Sequence, residues 1–548
     1  MGIDDPLYSF FVSLIAAVVE YEKEPVYTVL IEHIPSILCD VTITLTSYLR
    51  NKLERDPLDH DKGILEGLMH AFKVFLKFVT SRIVYRNTVC DSLLVLDVGK
   101  SNGFYKEVKI IISVLDICFK ELDKCLDIVQ TVRLTKLSCR ILMRILKELM
   151  DCSKHFLGTK ETVLQKIKWR SEQVSYIMIG FGKHEDTWLL DYKDLLSAVA
   201  RLSLLRKLLP EIQENIVFSI EIDRSRILSE SYDFVMNVSR DMLLANLTTQ
   251  FNGDADAGNG VTREWFGTLF EAIFTGASIG VGRCLRFPRI YEFTGIMIAL
   301  ALIHGIPIGI CLDKVVFEMM AGNEVVWKDT FYQEPFLYRS CESVLRMDEN
   351  TLRQMDQKFI WEIHGVEQEL CENGSTIVVG KENRTRFVEL LTQRRIAEPI
   401  SQMVYEIVAG FSRITDGLES TQSFFKKIDF PELDQLLLGN TIISVDDWKI
   451  RTDLKGFEPN DNVVIWFWQM VTNMTMKDRA SLLFYWSSFK SIPIGGFRYL
   501  PAFKIAIIRD IDIDGLPRAR SCLFTLYLPE YSSYSRMVDR FKVVLKAI

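Results

Sequence analysis

LPRARSCLFTLYLPEYSSY, residues 516–534, holds the residue on which the reading of this chain turns. CLFTLYLP has the composition of a short strand, and Cys522 stands at its start with Arg518 and Arg520 just upstream. Positive charge near a thiol favours the thiolate, which is the form that does nucleophilic chemistry. An unperturbed thiol, with a pKa of about 8.5, is only a few per cent thiolate at neutral pH. A protease-type cysteine would need an imidazole within reach. The seven His stand at 33, 60, 70, 155, 184, 304 and 364, so a Cys–His pair would have to form across domains. On local sequence alone, a buried structural cysteine at a strand start is favoured over a nucleophile.

Outward from that stretch, the chain from about residue 216 mixes β-rich runs with helical ones. NIVFSIEI (215–222), STIVVG (375–380) and FKIAIIRDIDI (503–513) read as strands, DDWKI (446–450) and NVVIWFWQMV (462–471) as helices. Gly439 with Asn440 follows the amphipathic ELDQLLL and marks a lobe boundary. The first 165 residues instead repeat helical stripes: Phe72, Phe75, Leu76, Val79; Ile111, Val114, Leu115, Cys118; Ile141, Ile145, Leu149. Helix pairs of this kind can stack as an armadillo-like solenoid, although no repeat of fixed period is found. The expected organisation is therefore multidomain: an all-α region at 1–165, a helical connector at 166–215, and α+β lobes at 216–440 and 441–548.

Composition narrows the function classes. At 548 residues, 48% hydrophobic and 25% charged, the chain is globular and long enough for about three or four domains. Its 65 Lys and Arg against 72 Asp and Glu, net charge -7, argue against a nucleic-acid footprint. Eleven scattered Cys without any Cys-x-x-Cys fit a reduced chain of the cytoplasm or nucleus. The apolar run Leu7–Val19 follows Asp4 and Asp5 where a leader would carry basic residues, so it reads as a core helix. FTGIMIALALIHGIPIGICL (293–312) is long enough to span a bilayer, but Pro307, Gly295, Gly305, Gly309 and His304 argue against a membrane span. No metal or cofactor is expected. Cys152 with His155, and Cys118 with Cys125, make poor ligand sets. FNGDADAGNG (251–260) fails as a calcium loop because Trp265 stands where a bidentate Glu is needed. GASIGVG (276–282) lacks the Lys-Ser/Thr of a phosphate loop.

An ordered series of motifs changes the odds at Cys522. EIDRSRILSESYDFV (221–235), GVTREWF (260–266), YEFTGIMIALALIHGIPI (291–308), ELCENGSTIVVGKENRTRFVEL (369–390), Gly410-Phe411, ELDQLLLG (432–439), VIWFW (464–468), IPIGGF (492–497) and LPRARSCLFTLYLPEYSSY together resemble the HECT-type ubiquitin ligase domain. Within the fourth of these the resemblance implies a strand pair and an Asn373-Gly374 turn. It further implies a bilobal α+β domain whose N-lobe recruits a ubiquitin-loaded conjugating enzyme. The catalytic cysteine of the family falls on Cys522, which would carry ubiquitin as a thioester before passing it to substrate lysines. Ser521 and Arg520 would support it, and Gly439 and Asn440 would lie in the hinge between lobes. The conjugating-enzyme site would be an apolar patch near 325–405, with Phe336, Leu337, Tyr338, Leu345 and Met347 as candidates. The partners implied are a ubiquitin-conjugating enzyme, ubiquitin and protein substrates.

The chain departs from the family pattern around its cysteine. Relatives usually place His two residues before it, Thr before it and Phe-Asn after it, where this chain has Arg520, Ser521, Leu523 and Phe524. A guanidinium is no neutral base near pH 7, so Arg520 would serve the thiolate instead. Many relatives also present a Phe near their end, where this chain has Leu545. These departures motivate the alternative of a catalytically impaired scaffold that binds a conjugating enzyme or ubiquitin.

Overall fold

The computed structural model describes residues 195–546 apart from 254–257, 275–286, 332–333, 364–365, 494–495 and 509–512, together with 147, 150, 159–169, 171, 174–175, 178 and 184–192. Most of the helical region expected at 1–165, its solenoid arrangement, Cys118, Cys125, Cys152, His155, residues 254–257 of the acidic loop and the whole glycine-rich loop at 276–282 lie outside these residues. The chain divides into two compact units, 1–204 and 205–548. The described part of the first is helical, with α1 at Thr159–Trp169 and a 3₁₀ stretch at His184–Asp191. The helix α2, Ala198–Arg206, runs across the division. The helical connector expected to reach 215 ends earlier, because β1 already begins at Gln213.

The second unit opens on a parallel pair, β1 (Gln213–Ile222) and β2 (Ala245–Phe251), bridged by α3 (Ile227–Asn237) and the single turn α4 (Arg240–Leu243). Against β2 lies α5, Asn259–Phe274, which buries Trp265, Phe266, Leu269, Phe270 and Ile273. The Trp265 indole N–H donates to Ser231 Oγ at 2.9 Å, so its polar edge is satisfied inside the core. The next helix, α6 (Ile290–His304), holds most of the apolar run that by count could span a bilayer. It is apolar all round because it is buried all round, and it stops at Gly305 in the left-handed region, φ 64°. No described helix is long and apolar enough to cross a membrane.

A smaller core follows, built by α7 (Lys314–Met320), α8 (Pro335–Arg346), α9 (Glu349–Met355), the hairpin β3 (Ile360–Ile363) with β4 (Val366–Glu369), and α10 (Arg384–Thr392). STIVVG, expected to be a strand, is a 3₁₀ turn at Gly374–Thr376 followed by one bridge from Val378 to Lys358. The strand pair expected within 369–390 is instead the hairpin upstream of it, and Asn373 turns the chain at φ 58°. A π-helical turn at Gln393–Ala397 joins α10 to α11, Glu398–Ile414. α11 crosses α6, and α12 (Leu418–Lys427) and α13 (Phe430–Leu438) finish this part.

After Asn440 a separate core forms around Trp448, whose ring lies 5.4 Å from Trp486 and 5.2 Å from Phe497. Its elements are α14 (Val445–Ile450), β5 (Thr452–Lys455), α15 (Asn462–Asn473), α16 (Met476–Ser487), β6 (Phe503–Ile507), β7 (Arg518–Arg520), β8 (Thr525–Leu528) and α17 (Tyr534–Lys546). The sheet order is β5-β6-β8-β7, with the first three strands parallel and β7 antiparallel to β8. The parallel β5–β6 pairing needs a long crossover, which α15 and α16 supply.

Candidate functional site

The hairpin β7–β8 builds the site. Arg520 pairs with Thr525, so four residues, Ser521 to Phe524, make the turn, the first three as a 3₁₀ segment. Cys522 is a free, exposed cysteine on this turn, which removes the buried structural alternative. The turn closes at Phe524, φ 53°, where a bulky side chain is costly and the family's usual Asn is not. Tertiary packing holds Phe524 there. Its buried ring lies 5.2 Å from Phe503 and 6.2 Å from Phe489. Its carbonyl accepts the Trp486 indole N–H at 3.0 Å and the Lys504 amide at 2.8 Å.

The next contact comes from the first lobe. Arg263 of α5 donates from Nη2 to the Ser521 carbonyl at 2.9 Å and from Nε to the Ser487 carbonyl at 2.9 Å. Its guanidinium lies 4.8 Å from the Phe489 ring and 4.9 Å from the Phe524 ring. Burial pushes the Arg263 pKa down to about 10, with an opposing Coulombic interaction from Cys522, so Arg263 remains a cation at neutral pH. Its sequence neighbour Glu264 is occupied by Arg224. One turn earlier on α5, a Cβ added to Gly260 would stand 2.3 Å from Ser521 Oγ and 2.8 Å from the Cys522 amide nitrogen. One turn later, Lys490 pairs with Glu271 at 2.6 Å and its Nζ reaches the Gly267 carbonyl at 3.4 Å. Arg520 is exposed, with its guanidinium 5.9 Å from the Tyr527 ring, so the cation that touches the turn from the other lobe is Arg263. Neither Arg263 nor Gly260 was singled out by sequence reasoning beyond membership of a motif. Their partners are more than 200 residues away, and no local pattern signals them.

The expected hinge is tied down at its start. Asn440 and Ile492 exchange both backbone hydrogen bonds, at 2.6 and 3.1 Å, and Ser491 Oγ donates to the Leu438 carbonyl at 2.6 Å. Gly439 has φ 73°, which a side chain would strain. Beyond it, Thr441 and Ile442 are exposed before Ile443 enters the second core.

Of the five residues expected on the conjugating-enzyme patch, Phe336 is 79% exposed and Leu337 only 4%. Leu337 is therefore corrected to the core, where it joins Cys341, whose thiol is pushed up to about 11 chiefly by burial. Leu345 and Met347 are half-buried against the same core and offer only edges. Tyr338 packs edge-on to Phe331 at 4.9 Å, and Phe331 is itself 48% exposed, so the apolar surface here is Phe336, Tyr338 and Phe331. Among the described residues no group of three His, Cys, Asp or Glu is placed to hold a metal.

The sequence profile of the HECT-domain (ubiquitin-transferase) family matches residues 231–547. E3 ubiquitin-protein ligase UPL5 of Arabidopsis thaliana is 31% identical over 431 residues, which are 73% of this chain and 49% of that protein. E3 ubiquitin-protein ligase HACE1 of Xenopus laevis and of Gallus gallus are each 27% identical over 349 residues, 59% of this chain and 36% of theirs. The chain thus spans about half or less of the length of these relatives.

Proposed function

We propose that this chain, which belongs to the HECT-domain (ubiquitin-transferase) family, accepts ubiquitin from a conjugating enzyme as a thioester on Cys522 and passes it to substrate lysines. The observation that carries the reading is the exposure of Cys522 on a turn that the buried Phe524 anchors to the core. In the first step the Cys522 thiolate attacks the carbonyl that links ubiquitin's C-terminus to the conjugating enzyme. The new C–S bond forms as the old one breaks, and the enzyme leaves as its own thiolate. In the second step a neutral lysine amine attacks the thioester, a C–N bond forms, the Cys522 sulfur departs with the electron pair, and the proton lost by the nitrogen passes to solvent. Arg520, as a guanidinium, does not take the amine's proton. The exposed Phe336 and Phe331, with the half-buried Tyr338 beside them, support a docking site for the conjugating enzyme, and the segment from Gly439 to Ile442 supports a pivot between lobes.

The test is a single-turnover transfer from preloaded conjugating enzyme to wild type, Cys522→Ala and Cys522→Ser. A reductant-sensitive ubiquitin adduct is expected on wild type, none on Ala, and a reductant-resistant ester on Ser. Because Cys522 is exposed, both variants should unfold at the wild-type midpoint, within about 0.5 kcal/mol. An adduct that persists on Cys522→Ala would overturn the assignment.

A further inference from the structure

We propose that one face of α5 is a seat for the nucleophile turn, with Arg263 as its positioning residue, and that the seated arrangement serves the transfer of ubiquitin to lysine and not its receipt. The inference rests on the thioester reading above, but its structural half can be tested without ubiquitin.

Gly260, Arg263, Gly267 and Glu271 recur at helical spacing on α5, so they share one face. Every one of them meets the second lobe. Gly260 admits the backbone of Ser521 and Cys522, Arg263 binds two of its carbonyls, Gly267 lies against Lys490, and Glu271 pairs with Lys490. A charged side chain this deeply enclosed needs hydrogen-bonded partners, and the partners of Arg263 come from the end of α16 and from the nucleophile turn. The contact therefore forms only when the lobes are together. Arg263 has no substitute partner in its own neighbour Glu264, which Arg224 holds.

Charge decides which step the seat favours. When the thioester is discharged, the Cys522 sulfur leaves carrying negative charge, and a fixed cation beside the turn stabilises that leaving group. When the thioester is formed, the same cation raises the thiolate fraction before attack but lowers the nucleophilicity of the sulfur, so the two effects largely offset and that step gains less. The turn must also reach a carbonyl held by a partner on the α8 segment, whose core is separate from the elements that hold the turn. Receipt thus calls for release from α5, and discharge gains from a rigidly held sulfur.

Gly260→Ala separates these effects. Ala has a higher intrinsic helix preference than Gly, so α5 itself is not weakened. In the seated arrangement the new Cβ would meet the Cys522 amide nitrogen at 2.8 Å and the Ser521 carbonyl carbon at 3.1 Å, both backbone atoms that cannot rotate away. Two measurements are made on the full chain with wild type, Gly260→Ala, Arg263→Ala and Arg263→Lys. The first is hydrogen exchange of peptides covering 487–492 and 520–526, without ubiquitin. The second is the single-turnover rate of thioester formation and, separately, of discharge to free lysine. For Gly260→Ala and Arg263→Ala we expect exchange at these peptides to rise about tenfold and discharge to fall about tenfold, with formation changed less than about threefold. Arg263→Lys keeps the charge but not the two-carbonyl fork, and should fall between. Unchanged exchange in Gly260→Ala overturns the seat. Increased exchange with formation and discharge slowed equally overturns its assignment to the second step. If Arg263→Ala does not fold, the Gly260→Ala result decides alone. A wild type that forms no Cys522 adduct overturns the functional reading instead, and the exchange result still decides on the seat.

Discussion

The crossing of α6 and α11 allows a stability effect to be worked from coordinates. A Cβ added at Gly295 would stand 2.0 Å from the Ile407 carbonyl oxygen, and one added at Gly410 would stand 1.9 Å from the Glu292 carbonyl oxygen. Both contacts are with backbone, so no rotamer change relieves them, and the helices must part by roughly 1.4 Å to restore an ordinary contact. Parting strips packing from Phe293, Ile296, Met297 and Phe411, all fully buried. Overpacking typically costs about 1–3 kcal/mol, and Ala returns about 1 kcal/mol of helix propensity. With rigid backbone on both sides the cost lies at the upper end of that range, so the net loss for Gly295→Ala should reach about 2 kcal/mol. Once one substitution has opened the crossing, the second meets a wider gap. The double variant Gly295→Ala/Gly410→Ala should therefore lose less than the sum of the two, by about 1 kcal/mol or more. Urea unfolding of the full chain, followed by tryptophan fluorescence at constant slope, measures both quantities. A wild-type midpoint for Gly295→Ala, or strict additivity in the double variant, would refute a shared close crossing.

Two further outcomes follow from the same structure. Phe524→Asn should relieve a left-handed backbone cost of about 1 kcal/mol but lose a buried ring worth about 3–5 kcal/mol, so urea midpoints should drop by about 2–4 kcal/mol; an unchanged or higher midpoint would show that the ring does not hold the turn. His304 has no partner for its Nε2, and burial pushes its pKa down to about 4. The unfolded chain takes up this proton first as pH falls, so the contribution is full above about pH 6.5 and is lost toward pH 4, by at most ~3 kcal/mol. His304→Gln should flatten the fall in midpoint between those two pH values, and an identical slope in wild type and variant would exclude His304 as its cause.

What was legible in the sequence follows the range of the interactions. The apolar run at 293–312 was legible as no membrane span from its interrupting Gly and Pro residues, and as a buried helix from the motif it belongs to, because burial is a property of the segment. The role of Gly295 was not, since it depends on which residue of α11 lies opposite, and that pairing is tertiary. The phase of α8 failed for a related reason. Phe336 and Leu337 are equally apolar neighbours on an amphipathic helix, and only the position of the small core decides that Leu337 faces in and Phe336 out. STIVVG has β-branched composition, yet Gly374 sits where a Cβ would meet the Phe359 carbonyl oxygen at 2.4 Å, so a close backbone approach fixes a 3₁₀ turn against propensity.

Around Cys522 the balance between local and distant forces is more one-sided. The motif identifies the cysteine, but propensity alone would not place Phe524 in the left-handed region. An Asn at this position would favour the turn by its own backbone preference. Here the same turn depends on Phe503, Phe489 and the Arg263 cation around the ring and on the Trp486 indole N–H at the Phe524 carbonyl. Phe489 and Phe524 thus pack against the side chain by which α5 grips Ser521. The residue that breaks the local rule is therefore the one that couples the geometry of the nucleophile turn to the docking of the two lobes.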